Sequence, residues 1–463
     1  MLFTRLGVFL GGWTLDATAQ VCNAAGDLPG DMLDGLQALV DHSLIQQNAM
    51  NEGGPRFTML ETLREYALER LDASGEAEAV RRQHAEYFLA LADAGGSSNP
   101  RQYLQPGWLD RMETEYDNLR AALTWSQSVT GSAELGLRLA VGMTGAGSDN
   151  WSEARNWLES ALAHADAEGM GYPQARAKVL WKLGEVLAHQ GDYAAGQAHM
   201  AHSLRLFQEL GDLPWSAFLL EGLGWLAREQ GDATTARALL EESLALFREL
   251  GDESGMAAAL VTLGQVAVMQ EDAAWATALL EEGLALSREV GNLESMGWAL
   301  NHLGHVAQLR GEYGRARRLH EESLPLFREI DEQYAGVAEA HRDLGETALA
   351  EGDAALATTH FTEALQWFRR FRWLAGVSWC LAGLAGVAAL NEEPERAAWL
   401  WAAAEALRQS IGTREAPASR ATRERLIAQA REQLGEAAFA AAWEKGQAAS
   451  TEQAIAEALA TDG

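Results

Sequence analysis

The sequence predicts an all-α fold, an array of stacked helical hairpins with one small β-hairpin near the N-terminus. Three observations predict it. From about Tyr172 to Ser410 a Leu-Gly pair returns as Leu183-Gly184, Leu223-Gly224, Leu263-Gly264, Leu303-Gly304 and Leu344-Gly345, at intervals of 40, 40, 40 and 41 residues. A turn follows each pair at a fixed offset: Gly191-Asp192, Gly231-Asp232, Glu271-Asp272, Gly311-Glu312 and Gly352-Asp353. An amphipathic helix then follows, clearest in TARALLEESLALFRELGD, WATALLEEGLALSREVGN and RARRLHEESLPLFREIDE. Each unit is helix, turn, helix, turn, with helices of roughly 16 to 18 residues, and no single hairpin can bury its own apolar stripe.

Residue types explain the stacking. The Gly after each Leu leaves room for a neighbouring helix, and small residues at one matching position (Gly196, Ala236, Ala276, Ala316) do the same for the second helix. The chain of 463 residues has room for two or three domains. Its 66 acidic and 36 basic residues leave a net charge of −30, which argues against general phosphate binding. Cys22 and Cys380 stand far apart with no disulfide framework, so a reduced, cytoplasmic setting is expected. The N-terminal MLFTRLGVFLGGWTL reads as structure and not as a signal peptide, and no apolar run is long enough to span a membrane.

Taken in order, residues 1–75 are expected to form a winged-helix-like domain. Leu2 to Leu10 make a helical stripe ending at Gly11-Gly12, Ala17–Ala24 and Met32–His42 two further helices. Ser43–Gln47 and Arg56–Leu60 flank a turn at Asn51–Pro55, a predicted hairpin. The helix that would enter a DNA groove carries Asp31, Asp34 and Asp41 with no Arg or Lys, so a packing role is expected and no direct nucleic-acid contact. Residues 76–130 form a helical linker with a loop at Ser97–Pro100, and residues 131–410 the array. The array opens on a degraded repeat over 133–165, whose Gly-rich piece Thr144–Asn150 reads as a plain turn. Its sixth well-defined repeat keeps the spacing at Leu384-Ala385. After a Pro-containing connector (Arg414–Ser419), residues 411–463 close the chain with helices near 420–434, 436–447 and 451–460 that cap the stack.

The Leu-Gly, small-residue, bulky-apolar order resembles the tetratricopeptide repeat, whose common period is about 34. The 40-residue unit is similar to the variant found in bacterial regulators related to the maltose-regulon activator and LuxR-type proteins, which implies a right-handed α-solenoid. VFLGGWTLDATAQVC, LVDHSLI, RFTMLETLREYALERL, HAEYFLALA, WLDRMETEYDNLRAALTW and the tail from RAAWLWAAAEALRQSIG onward resemble bacterial signal-transduction ATPases with numerous domains. In that family an ATP-binding module precedes the winged helix, and some members add a DNA-binding helix-turn-helix at the end. No G-x-x-x-x-G-K-[ST] and no Gly-Lys pair occurs in these 463 residues. The resemblance therefore implies the sensor part of such a regulator, either a short natural protein or a segment of a longer one whose ATPase module is a partner.

No catalytic constellation stands out, so no enzyme, cofactor or metal site is expected. His199 with His202 and His302 with His305 lie three apart on helices but lack further ligands at metal-binding spacing. Binding is the better expectation. With Leu-Gly as a ruler, concave positions lie six and three residues before the Gly and one and four after it. They select Lys178, Trp181 and Glu185; Phe218, Glu221, Trp225 and Arg228; Trp298, Asn301, His305 and Gln308; Glu339, Arg342 and Glu346; and Trp379, while the third repeat offers only Ala258, Val261, Gln265 and Val268. Aromatics with charges suit a peptide, protein or small inducer; Trp residues packed between helices are the plain alternative. The sequence is thus read as a non-catalytic sensor or interaction module, with a self-associating scaffold or part of an ATP-dependent transcriptional regulator as alternatives.

Overall fold

A computed structural model describes residues 1–28, 30–51, 54–93, 108–128, 132–144, 151–169, 171–330, 335–370, 373–411 and 417–460. The expected loops at Ser97–Pro100 and Gly145–Asn150, and the Arg414–Glu415–Ala416 part of the connector, lie outside them. Contacts divide the chain into two compact units, Met1–Val186 with Arg205–Leu210, and Leu187–Leu204 with Gly211–Gly463.

The first unit begins with α1 (Leu2–Leu6), β1 (Trp13–Thr14), α2 (Leu15–Ala17) running into a π-turn (Thr18–Cys22), α3 (Met32–Asp41), β2 (Gln46–Asn51) and β3 (Gly54–Thr58). The strands form one antiparallel sheet in the order β1-β3-β2. The predicted hairpin is present, with its strands shifted towards the turn, and Trp13 pairing with Phe57 adds a third strand the sequence did not announce. The N-terminal helix ends at Leu6, earlier than the apolar stripe suggests. The next helices are α4 (Glu61–Ser74), α5 (Ala77–Asp93), α6 (Trp108–Thr114), α7 (Tyr116–Ser126), α8 (Ala133–Met143) and α9 (Trp151–Glu168). Buried Asn118 on α7 ties this unit together: its Oδ1 accepts from the Leu10 amide at 2.8 Å and its Nδ2 donates to the Gly12 carbonyl at 2.8 Å. Arg56 on β3 pairs with Glu115, and Phe9 stacks on Trp13 at 5.3 Å. Cys22 is buried here, and burial pushes its thiol up to about 12 although Arg5 pulls the other way.

The repeats follow as α10 (Pro173–His189) and α11 (Tyr193–Glu209), which are divided between the two units, then α12 (Leu213–Glu229) and α13 (Ala233–Leu250). Next come α14 (Glu253–Met269) with α15 (Ala273–Val290), α16 (Leu293–Leu309) with α17 (Tyr313–Ile330), α18 (Ala335–Glu351) with α19 (Ala354–Arg370), and α20 (Leu374–Leu390) with α21 (Pro394–Ile411). From α12 on, each first helix packs on its own second helix, and from α14 on also on the second helix before it. From α12 to α20 successive first helices also pack on one another, so they form the inner layer. The chain ends with α22 (Pro417–Leu434), α23 (Glu436–Gln447) and α24 (Thr451–Leu459). Cys380 on α20 is fully buried, and burial pushes its thiol well above the ordinary range.

The helix boundaries have a local cause that repeats every twenty residues, at half the Leu-Gly interval. Asp212, Asp232, Asp252, Asp272 and Asn292 each accept the backbone N–H three residues on, at 2.9–3.2 Å, capping the next helix. The residue before each cap sits in the left-handed region, where glycine is free of Cβ strain: Gly211, Gly231, Gly251 and Gly291 have φ of 66–77°. The Leu-Gly glycine makes room mainly for a side chain of its own hairpin. A Cβ at Gly224 would lie 2.6 Å from Leu240, and one at Gly264 2.6 Å from Leu280.

Glu271 alone among these turn positions from 211 to 291 holds a side chain in the left-handed region, with φ of 58°. Glu271→Gly is expected to stabilise the array by about 1 kcal/mol, read as an upward shift of the urea unfolding midpoint.

Candidate functional site

The inner layer of the second unit carries a polar network that no single repeat contains. Its centre is Asp343 on α18, which is fully buried. Asp343 Oδ2 accepts from Asn301 Nδ2 of α16 at 2.6 Å and pairs with His305 Nε2 at 3.0 Å. Oδ1 lies 2.7 Å from Arg342, in ion contact and not in an aligned hydrogen bond. Arg342 also binds Glu339 at 2.7 Å and Glu346 at 3.5 Å, with its guanidinium 4.9 Å above the Trp379 ring.

Donor and acceptor roles follow from the carboxylate. Asn301 spends its amide hydrogen on Asp343, so its Oδ1 is an acceptor. His320 Nδ1, 2.6 Å away on α17, must donate to it. Across from Asp343, His305 meets His302 through the two Nδ1 atoms at 3.3 Å, and His302 in turn touches Gln265 of α14. A chain of polar side chains thus runs from α14 through α16 to α17 and α18. The position of His320 is informative, because Leu240 and Leu280 stand there in the preceding hairpins. In the fourth repeat a histidine takes the place of the leucine packed over the Leu-Gly glycine.

Charge states follow from surroundings. Burial raises the Asp343 carboxyl but Arg342 and His305 outweigh it, so it stays well below the usual range. Burial opposes charge on His305, yet Asp343 more than offsets this and its pKa is raised. Burial depresses His320 to about 3 and holds His302 well below 6.5, with His305 and Arg228 adding to the effect on His302. Burial lifts Glu339 to about 6 against the pull of Arg342, and Glu229 of α12 contributes to the rise. The inner end of α12 is therefore felt electrostatically on α16 and α18.

Beside this network, residues of α16, α17, α18, α20, α21 and α22 line a small pocket of about 50 Å³. Gln308, Glu346, Trp379, Trp401, Arg408 and Arg423 are among its lining residues. Gln308 Nε2 donates to Thr347 Oγ1 at 2.7 Å, and that hydroxyl donates onward to the Asp343 carbonyl at 2.8 Å, which fixes the amide orientation. Gln308 Oε1 is then a buried acceptor with no partner, and Trp379 Nε1 is a buried donor in the same condition. Each such group costs about 1–3 kcal/mol while unmade. Trp401 Nε1 is occupied by the Ala382 carbonyl at 3.1 Å, so only the body of its ring is available.

The ruler residues divide accordingly. Asn301, His305, Glu339, Arg342, Glu346 and Trp379 meet in the network, and Gln308, Glu346 and Trp379 line the pocket. Trp298 is half-buried, stacked on His302 at 5.7 Å and against Phe327 at 5.0 Å. Phe218, Glu221, Trp225 and Arg228 are half-buried on α12, where Trp225 lies 6.2 Å from His189 and Arg228 pairs with Glu229. Lys178, Trp181 and Glu185 fall in the first unit. There Trp181 is buried under Lys182, 4.1 Å from its ring, and Lys182 pairs with Glu185 at 2.8 Å. Lys178 lines a separate pocket with Asp93, Glu134 and Arg138. In the third repeat Ala258, Val261 and Val268 are buried and Gln265 is half-buried. Asp343, His302, His320, Thr347 and Arg408 escaped the ruler. Among the described residues, no group of three or more His, Cys, Asp or Glu side chains is placed to hold a metal ion. No helix among them is long and apolar enough to cross a membrane.

Two outcomes test the network. Asp343→Asn leaves Arg342 and His305 facing a neutral group in a buried site and is expected to cost roughly 3 kcal/mol, measured by urea unfolding. The second concerns pH. His302 and His320 have folded values below the unfolded one, so their contribution is full above about 6.5 and is lost on acidification. His305 and Glu339 act oppositely, contributing below their unfolded values and losing this as pH rises through the folded ones. Asn301→Val with His320→Leu restores the third-repeat residues Val261 and Leu280, and its melting temperature should fall less than wild type between pH 7 and about 5.

A tetratricopeptide repeat model matches residues 175–249, 226–289 and 295–370, and a winged helix-turn-helix domain model matches residues 1–72. Proteins described as HTH-type transcriptional regulators in Mycobacterium tuberculosis and Mycobacterium bovis are 39% identical over 165 residues, covering 35% of this chain and 18% of theirs. The chain thus spans under a fifth of the length of these curated relatives. Among solved structures, the signal-transduction ATPase with numerous domains and a tetratricopeptide repeat sensor from Pyrococcus horikoshii is similar in fold. Its TM-score is 0.55 at 15% identity, over 96% of this chain and 62% of that one. A Rap protein complexed with competence and sporulation factor gives a TM-score of 0.54 at 16% identity, over 75% of this chain and 96% of that one. The chain carries a winged helix-turn-helix domain over residues 1–72 and tetratricopeptide repeats between residues 175 and 370.

Proposed function

We propose that the chain is the ligand-sensing part of a signalling regulator, binding a peptide or protein segment, or a small inducer, on the inner layer of α12 to α20 and catalysing nothing itself. The observation that carries this reading is the pocket beside the Asp343 network. It combines aromatic walls, fixed charges and two buried polar atoms, Gln308 Oε1 and Trp379 Nε1, that a bound molecule would satisfy. Its lining has the make-up of a recognition surface, aromatic bodies for buried area and a few polar groups for register. Arg342, Glu339 and Asp343 are engaged with one another at 2.7 Å, so we assign them to holding the wall, and assign contact to Gln308, Trp379 and the more loosely paired Glu346.

The winged helix is read as the connector to an ATPase module in a longer parent, working in the cytoplasm. Its α3 carries Asp34 and Asp41 behind an Asp31 cap, a surface that repels nucleic-acid phosphates. Ligand capture would then bias an equilibrium between two arrangements of that parent.

Selection of a displayed dodecapeptide library on the whole chain tests the reading. Binders are expected to lose at least about tenfold in affinity with Glu346→Ala or Trp379→Ala, and to be indifferent to Asp34→Ala on the winged helix. Binders that ignore both inner-layer substitutions would place recognition elsewhere.

A further inference from the structure

The last helices do not all behave as an end cap. α23 packs on α21, and α24 on α20 and α21, covering the final hairpin with Phe439 and Ile455 buried. By contrast, α22 packs on α20 and α21 and also reaches α18 and α16, two repeats back along the inner layer. Leu426 and Ala430 are fully buried there, and Thr422, Arg423 and Leu426 close one side of the pocket. A helix that merely sealed the exposed end would have no reason to cross α18 and α16.

Its charge sets it apart as well. Between Pro417 and Leu434 there are four arginines (Arg420, Arg423, Arg425, Arg431) and two glutamates, in a chain whose net charge is −30. The surface it crosses includes Glu346, with Glu339 and Asp343 behind it. The fit is also incomplete: with α22 in place, Gln308 Oε1 and Trp379 Nε1 remain without partners.

We propose that α22 is an intramolecular ligand of the inner layer, and that the partner for this surface is a basic helical segment that takes the place of α22. The proposal rests on the inner-layer reading above and names its occupant. Competition has a physical basis, because a helix that brings a donor to Gln308 and an acceptor to Trp379 makes bonds that α22 leaves unmade. Linkage through the same chain gives α22 a high effective concentration, so it holds the site closed even with a modest fit.

The experiment uses the full chain and a fluorescent synthetic peptide of residues 417–434, followed by anisotropy. Wild type should bind the peptide weakly, and Leu426→Asp, which loosens the resident helix, at least tenfold more tightly, while a scrambled peptide binds neither. Arg423→Glu, at a half-buried position, serves the same purpose if circular dichroism shows Leu426→Asp to be unfolded. Hydrogen exchange on wild type supplies an arm free of substitutions: α22 amides should exchange faster than those of α18 and α20. Equal peptide affinity for wild type and the loosened variant, or α22 exchanging only as slowly as α18 and α20, overturns the proposal. A display-selected inner-layer binder is the reference. If it binds the loosened variant and the 417–434 peptide does not, α22 is structural and the sensing reading stands; if neither binds, that reading falls too.

Discussion

A fully buried carboxylate governs the C-terminal half of the array. Asp343 is removed from water, and such a group is tolerated only where cations and donors surround it closely. Arg342 comes from its own helix, but His305 and Asn301 come from the preceding repeat, and Asn301 is held in turn by His320 from a second helix. Stacks of leucine can slide or exchange partners at little cost, because one apolar hairpin resembles the next. A network whose members lie on α16, α17 and α18 is satisfied in one register only. The same network backs the wall of the neighbouring pocket, where Gln308 Oε1 and Trp379 Nε1 are unpaired.

Much of the fold is legible in the sequence because its causes are local. A glycine free to turn left-handed, followed by a capping aspartate, stops one helix and starts the next within two residues, and this signal survives at Gly231-Asp232 without any knowledge of the rest. Counting by Leu-Gly found every second turn; Gly211-Asp212 and Gly251-Asp252 show the same chemistry at half the interval. The two-residue strand at Trp13 left no such trace. It exists because Phe57 lies beside it, a contact no pattern of period two can reveal in so short a run. The N-terminal helix stops at Leu6 although apolar residues continue at helical spacing to Leu10, since Phe9 turns inward to meet Trp13 and Phe88.

For the candidate site, the sequence offered individual residues and not their pairings. Leu-Gly phasing puts the selected residues on the first helices, but it cannot say that Arg342 spends its charge on Glu339 and Asp343 while Glu346 and Trp379 line a pocket. One clue was present: a histidine at position 320, where Leu240 and Leu280 stand, breaks an otherwise apolar column and requires a polar partner. The course of α22 was hidden for a different reason. Its composition marks it as basic, yet packing against α16, α18, α20 and α21 is a long-range event that no local pattern announces.

The two cysteines, one in each unit, have a practical consequence. Cys22 and Cys380 are sealed from solvent, and burial keeps both as neutral thiols at ordinary pH. A thiol in that state does not react with alkylating or disulfide reagents until its surroundings open. The molecule therefore carries two native chemical clocks, one timing the exposure of the winged-helix core and the other the parting of the hairpins around α20. Rates of modification at the two sulfurs can separate the opening of one body from the opening of the other, with no foreign label added.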